Sequence, residues 1–289
     1  MSTLIVGCGY LGKRVAQQLV AAGEHVWGTV RSRPRADDLA ASLIEPVIAD
    51  VLDPASLRAL PEADRVFYSV GFDRTAGVAM RTVYVDGLRN ALERLGDRSA
   101  RIVYASSTGV YGQDDGSWVE EDALAEPRHE SGRTCLEAEN LARDWAAARG
   151  FPLIVLRFAG LYGPGRIPRR ANVERGEPIA GDPSKFVNFI HSDDAATAAV
   201  AALVRGKPGA VYHVADDRPV TRAEFYGRLA ECLDAPPPRF SQPAPGSAEA
   251  RREESNKRVA NRRLRDELGV DLHFPDVIQG LGSALKNHP

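Results

Sequence analysis

Cysteine and methionine are scarce in this chain, at three and two residues, and no apolar run approaches the roughly 20 residues that a membrane-spanning helix needs. The cysteines, Cys8, Cys135 and Cys232, are odd in number and lack ligand spacing. That argues against a disulfide framework and a zinc site, so no metal is expected and each reads as a small buried or half-buried residue. Net charge is also nearly absent, at -2, which gives nucleic acid no field to follow. There is no internal repeat and no long low-complexity tract. Apolar patterning starts almost at Met1 and leaves no room for a signal or transit peptide, so a cytoplasmic location away from membranes is expected. A length of 289 residues suits one large α/β domain and a smaller lobe.

What the chain does have is a glycine-rich turn at its start. The apolar run Ser2-Thr3-Leu4-Ile5-Val6 ends directly in Gly7-Cys8-Gly9-Tyr10-Leu11-Gly12, and a helix-patterned segment follows with Val15, Ala16, Leu19 and Ala22 as its buried stripe. A second strand at 25–30 completes a βαβ unit. Strand, G-x-G-x-x-G, helix and strand in that order indicate dinucleotide binding. A pyrophosphate needs backbone amides and a helix N-terminus close to it, and glycine leaves that room: Gly7 for the tight turn, Gly9 for the approach, Gly12 for helix packing. About 20 residues past the motif, where an acid would hold the ribose 2′-hydroxyl of NAD, the chain has Arg31, followed by Ser32, Arg33 and Arg35. That charge suits a 2′-phosphate, so NADP is expected in preference to NAD, the plainer alternative being a solvated basic loop.

Further strands are expected at 44–49, 65–70 and 101–105, with a helix at 82–95 presenting Val85, Leu88, Leu92 and Leu95 on one face. Asp50 and Val51 fall beside the adenine, and Val70 and Gly71 at the end of a strand; with Tyr10 and Leu11 of the turn they complete the expected cofactor contacts. This alternation predicts a doubly wound parallel sheet of the Rossmann type, α/β in class, with ligand at the carboxyl ends of the strands. The expected division is a dinucleotide-binding domain at 1–160 and a small substrate-binding lobe at 161–289, with about 186–215 returning to the core.

Ser106-Ser107-Thr108-Gly109-Val110-Tyr111-Gly112 resembles the loop after the fifth strand in the extended short-chain dehydrogenase/reductase family of NAD(P)-dependent epimerases, dehydratases and reductases. Asp50-Val51-Leu52-Asp53, Leu161-Tyr162-Gly163-Pro164-Gly165 and Phe189-Ile190-His191-Ser192-Asp193-Asp194 resemble further family segments, and the likeness covers nearly the whole chain. It implies a Ser or Thr that polarises the reacting oxygen, here Ser107. It also implies a Tyr-x-x-x-Lys for the proton, but those positions fall on Ser131 and Cys135. A serine hydroxyl is too weak an acid, and a neutral thiol supplies no cation. The combination resembles the atypical, YeeZ-like branch of the family. Tyr84, which replaces the supporting Asn, is the first candidate donor, Tyr111 the second, and His129 and Cys135 follow. Packing of Tyr84 against the sheet is the plainer alternative. Thr108-Gly109 stands where sugar-nucleotide 4,6-dehydratases carry an Asp-Glu pair, which argues against that elimination; Asp114-Asp115 and Glu120-Glu121-Asp122 read as a solvated loop.

In the second half, Arg166, Arg169 and Arg170 cluster after Gly163-Pro164-Gly165, with Arg128 and Arg133 expected toward the same cleft and Asn188 and Lys185 along its wall. They suit a small polar, anionic metabolite, with nucleotide sugars among the candidates. The Pro-rich 235–245 reads as a linker, and Arg251-Arg252 and Arg262-Arg263 as polar helix faces. The expected function is hydride transfer by an oxidoreductase or epimerase; the alternative is a non-catalytic NADP(H)-binding sensor. A homodimer is as arguable as a monomer.

Overall fold

The computed structural model describes residues 1–96, 101–247 and 255–286. Its central sheet has seven strands: β1 (Ser2–Val6), β2 (His25–Val30), β3 (Glu45–Ile48), β4 (Arg65–Tyr68), β5 (Arg101–Ser107), β6 (Leu153–Phe158) and β7 (Val211–Val214). They lie in the order β7-β6-β5-β4-β1-β2-β3, all neighbours parallel. The chain winds outward from β1 to β3 and then restarts on the other side at β4. A crevice therefore opens at the carboxyl ends of β1 and β4. The doubly wound sheet expected from the alternation is present.

A parallel sheet is covered on both faces, so its strands must be apolar on both. Leu4, Val6, Val66, Tyr68, Ile102 and Tyr104 meet α3 (Gly87–Leu95) and α4 (Glu130–Arg149) through Leu88, Leu92, Ala138, Ala142 and Trp145. Ile5, Phe67, Val103 and Ile154 face α1 (Tyr10–Ala21) and the alanine-rich helix Ser192–Arg205. Each buried Leu, Ile, Val or Phe contributes roughly 1.5–3 kcal/mol. In α1 the buried stripe is Leu11, Val15, Ala16 and Leu19. Ala22, expected to extend it, lies past the helix end and is exposed, because the chain turns away there toward β2.

Arg33 and Arg35 do not lie in a loop. They open α2 (Arg33–Ala40), where Pro34 presets the first turn and Ala36 and Leu39 are buried. The helix expected at 82–95 begins instead with a π-helical turn, Thr82–Asp86, that carries Tyr84. In the C-terminal part, Gly160–Tyr162 pairs with Phe189–His191, and a lobe core forms from Tyr162, Phe189, Phe225, Leu229, Val277 and Leu281. The stretch 235–245 is no free linker: Phe240–Ser241 pairs with Ile179–Ala180. Leu264 in the helix Arg262–Asp266 points inward, as the pattern predicts, and Arg251 and Arg252 lie outside the described residues. Among the described residues no helix is long and apolar enough to cross a membrane, and no group of three His, Cys, Asp or Glu could hold a metal ion.

Candidate active site

The three glycines of the first turn have different surroundings. Gly7 has φ +89°, and a Cβ there would stand 2.7 Å from the Val70 backbone. A Cβ on Gly12 would stand 2.6 Å from the Gly7 carbonyl oxygen and 2.9 Å from Ile5. Both positions are closed by protein. A Cβ on Gly9 meets nothing within 4 Å, so it would enter the crevice that Gly9 lines. No side chain caps α1, and its first turn carries no acid. The positive end of the helix dipole is thus left for an anion. Thr29 Oγ1 accepts from the Gly7 amide at 2.8 Å, and Ser69 Oγ donates to the Gly7 carbonyl at 3.1 Å, which holds the turn in place. Cys8 lies beneath it; burial pushes its thiol up to about 12, so the group stays protonated.

From this turn a cleft of about 2050 Å³ runs in both directions. One end is lined by Arg31, Ser32, Arg35, Asp50 and Val51, with Lys13 and Arg14 beside the turn. Arg33 is drawn off by Asp37 at 3.2 Å, and Lys13 holds Asp38 at 2.7 Å. Arg31 is 3.9 Å from Asp73 and largely exposed. Asp50 Oδ1 accepts from the Leu52 amide at 2.9 Å, and the Val51 carbonyl accepts from Asn90 at 2.9 Å. Val70 and Gly71 line the middle, together with Tyr10 and Leu11. The open space at Gly9, the uncapped helix end and the basic far wall fit a dinucleotide phosphate.

The same cleft is also lined by Arg74, Tyr84, Ser106, His129, Ser131, Thr134 and Arg166. Two of the expected residues are placed away from this lining. Ser107 does not line the cleft: its Oγ accepts from the Gly109 amide at 3.0 Å and caps the turn Thr108–Val110. The preceding residue, Ser106, reaches the cleft and donates to the fully buried Glu139. Tyr111 is also removed from the cleft. Its hydroxyl accepts from Arg157 and donates to His213 Nε2 at 2.7 Å, while His213 Nδ1 donates to the Ala260 carbonyl at 2.9 Å. Arg157 forms a fork on Glu139, at 3.0 and 2.7 Å. Strand β5 and helix α4 are thereby locked to β6 and β7 by one buried polar network. Burial pushes His213 down to about 4, so it is neutral there.

Tyr84 is half-buried and packs in the cluster containing Cys135, with its ring edge-on to Phe72 at 6.3 Å. Burial raises its pKa first, while a hydrogen bond from the Phe72 backbone and the charges of Arg166 and Arg74 act the other way. Burial also pushes Cys135 up to about 11, so it supplies no charge at neutral pH.

Of the expected substrate residues only Arg166 lines the cleft. Arg170 pairs with Glu174 at 2.7 Å, Arg169 is the left-handed residue (φ +52°) before that helix, and neither is part of the cleft wall. Asn188 instead ties two backbone segments together, donating to the Lys257 carbonyl at 2.9 Å and accepting from the Val259 amide at 2.7 Å. Arg128 is held by Asp114, and Arg133 donates to the Arg128 carbonyl at 2.7 Å, so neither is part of the wall. Lys185 is likewise absent from it. Glu121 is not solvated but buried, accepting from the His213 amide at 3.1 Å. Ser106, Arg74, Lys13, Arg14 and Thr134 were missed by sequence reasoning. For Arg74 the available signal was its place just after Gly71, at the end of β4.

Sheet order, glycine turn and cleft together define an NAD(P)-binding α/β protein of the dehydrogenase/reductase class. The NAD dependent epimerase/dehydratase family model matches residues 3–215, and the chain belongs to that family, within the extended short-chain dehydrogenase/reductases. It is 29% identical to the protein YeeZ of Escherichia coli K12 over 281 residues, covering 95% of this chain and 96% of that one. It is 30% identical to the 3-diazoavenalumate denitrifying reductase of a Streptomyces species, covering 98% and 99%. In fold it is similar to UDP-glucuronic acid 4-epimerase from Bacillus cereus, solved in complex with UDP-glucuronic acid and NAD: TM-score 0.83, 20% identity, 99% of this chain and 98% of that one.

Proposed function

We propose that the chain is an NADP-preferring oxidoreductase that transfers hydride to or from a small polar, anionic metabolite, such as a nucleotide sugar or a carboxylate-bearing carbonyl compound. One observation carries the reading: a single cleft runs from the glycine turn and Arg31 to Tyr84, Ser106 and Arg166. Arg31 and Arg35 hold the 2′-phosphate, and the amides at Gly9 and the start of α1 hold the pyrophosphate. Bound in this way, the nicotinamide supplies the hydride that a substrate carbonyl carbon gains, or accepts it in the reverse direction. Tyr84 gives the carbonyl oxygen its proton and recovers one from solvent. The phenol carries its proton at neutral pH, and burial, which raises its pKa, holds that proton more tightly. Arg166 attracts the substrate anion.

The second reading is a non-catalytic NADP(H) sensor, which Ser131 and Cys135, at the positions of the family's Tyr and Lys, favour. The deciding experiment incubates the protein with NADPH deuterated at the reactive carbon and a small-metabolite extract, and follows the label by mass spectrometry. Protein-dependent transfer, reduced about 10²–10⁴-fold in Tyr84→Phe, is expected for an enzyme with this donor. Tight NADPH binding without transfer would support the sensor.

A further inference from the structure

At the end of β2, where an acid would accept from the ribose 2′-hydroxyl of NAD, the chain has Arg31 instead, but a carboxylate arrives there from elsewhere in the fold. Asp73 lies in the loop that follows β4, and its Oδ2 is 3.9 Å from the Arg31 guanidinium. In the sheet β2 and β4 flank β1, one on each side. With neighbouring strands about 4.8 Å apart, β2 and β4 lie roughly 10 Å from each other. The pair therefore reaches across the carboxyl end of β1, where the glycine turn begins, and both residues line the cleft.

Asp73 is set for this contact by its own loop. Its Oδ1 accepts from the Thr75 amide at 2.9 Å and from the Thr75 hydroxyl at 2.6 Å, which leaves Oδ2 as the oxygen toward Arg31. The neighbouring Phe72 packs edge-on to Tyr84 at 6.3 Å and anchors the loop on the cleft wall. At 3.9 Å the pair is too long for a hydrogen bond, and the two side chains are 62% and 45% exposed. Such a contact is screened by water and yields to a better-matched anion. A 2′-phosphate is such an anion, because it offers the guanidinium a fork of charged oxygens. Arg33 and Lys13 have no comparable contact from across the crevice: their partners, Asp37 and Asp38, both belong to α2.

We propose that Asp73 is a specificity-determining residue for the cofactor: it competes with the 2′-phosphate of NADP for Arg31 and so narrows the preference for NADP over NAD. This rests on Arg31 being the residue that holds the 2′-phosphate. When NADP binds, the phosphate takes the guanidinium and Asp73 gives it up. When NAD binds there is no phosphate to exchange, and the ion pair stays closed. Asp73 therefore lowers the affinity for NADP without changing that for NAD, and cofactor choice depends on the loop after β4 as well as on the end of β2.

The test is a fluorescence titration of the intact protein with NADPH and with NADH, which differ only in the 2′-phosphate. Asp73→Asn keeps the oxygen that Thr75 bonds and removes the charge. It should tighten NADPH binding about 2–5-fold, the span of an exposed ion pair, and leave NADH binding unchanged. Combined with Arg31→Gln, the same substitution should leave NADPH binding unchanged as well, because no guanidinium remains to compete for. Unaltered NADPH affinity in Asp73→Asn, where Arg31→Gln alone weakens it, overturns the proposal and leaves the phosphate assignment standing. So does an equal gain for both nucleotides, or the same gain with and without Arg31, since neither outcome is competition for that side chain. An Arg31→Gln variant that binds NADPH as well as the parent removes the phosphate assignment itself, and the proposal with it.

Discussion

The Tyr10 hydroxyl donates to the Pro164 carbonyl oxygen at 3.0 Å, tying the glycine turn to a loop 154 residues away. Two guanidiniums also lie over the Tyr10 ring, Arg14 at 4.0 Å and Arg166 at 5.4 Å. One side chain therefore joins the glycine turn to the loop 163–166. Tyr10→Phe keeps the ring and removes the bond, a loss of about 0.5–1.5 kcal/mol. Amide hydrogen exchange across 163–166 should speed up by roughly 2–10-fold while exchange in β1 and β4 stays unchanged. Equal protection in both proteins would show that the bond does not hold the loop.

Gly9 and Gly12 should respond differently to the same added methyl group. Gly9→Ala places its Cβ in open cleft space, so thermal unfolding should match the parent while NADPH affinity falls. Gly12→Ala forces a Cβ against the Gly7 carbonyl and should lower the melting temperature as well. Calorimetric unfolding alongside NADPH fluorescence titration separates the two.

At the basic end, Arg31→Gln and Arg35→Gln should each weaken NADPH binding about 10–100-fold, since one charge-assisted hydrogen bond contributes roughly 1.5–3 kcal/mol. NADH binding should be almost unaffected, as it has no 2′-phosphate. Equal losses for both nucleotides would refute the assigned contact.

The Glu139–Arg157 pair is buried, and removing one partner strands the other charge. Arg157→Leu should cost about 3–5 kcal/mol, read as a lower urea midpoint at unchanged slope. Replacing both partners with apolar residues should cost less than the single change.

His213 gives the acid limb of stability a definite sign. Its pKa is pushed down from 6.5 to about 4 by burial, so below pH 6.5 the unfolded chain takes up a proton that the folded chain does not. Its contribution is intact above pH 6.5 and is lost progressively as the pH falls toward 4, by about 3 kcal/mol in all. In His213→Gln, urea melts between pH 7 and 4.5 should show a shallower decline. An identical slope would assign the acid sensitivity to other groups.

Much of the fold was legible because it depends on local pattern. Apolar strands alternating with amphipathic helices specify a parallel sheet, and the glycine turn marks where its ligand lies, since only glycine fits at Gly7 and Gly12. The helix face Cys135, Ala138, Ala142 and Trp145 could be read from its spacing and is buried throughout. α2 was hidden because its polar sequence carries little helical pattern, and what holds it is the burial of Ala36 and Leu39.

Of the expected site residues, Gly7, Gly9, Tyr10 and Leu11 of the glycine turn with Arg31, Ser32, Asp50, Val51, Val70 and Gly71 line the cleft, and fewer of the others do. Whether Ser106 or Ser107 faces the cleft depends on how β5 ends, and strand neighbours point to opposite sides, so the motif alone cannot choose. Tyr111 left the cleft because Arg157 and His213, from two strands far along the chain, hold its hydroxyl. Sequence by itself determined the sheet, its nucleotide turn and the basic residues beyond it, because short-range periodicity and glycine sterics dictate these. Only tertiary structure decided which arginines line the cleft and which are spent on neighbouring carboxylates, because side-chain pairing is set by distances that the linear order does not contain.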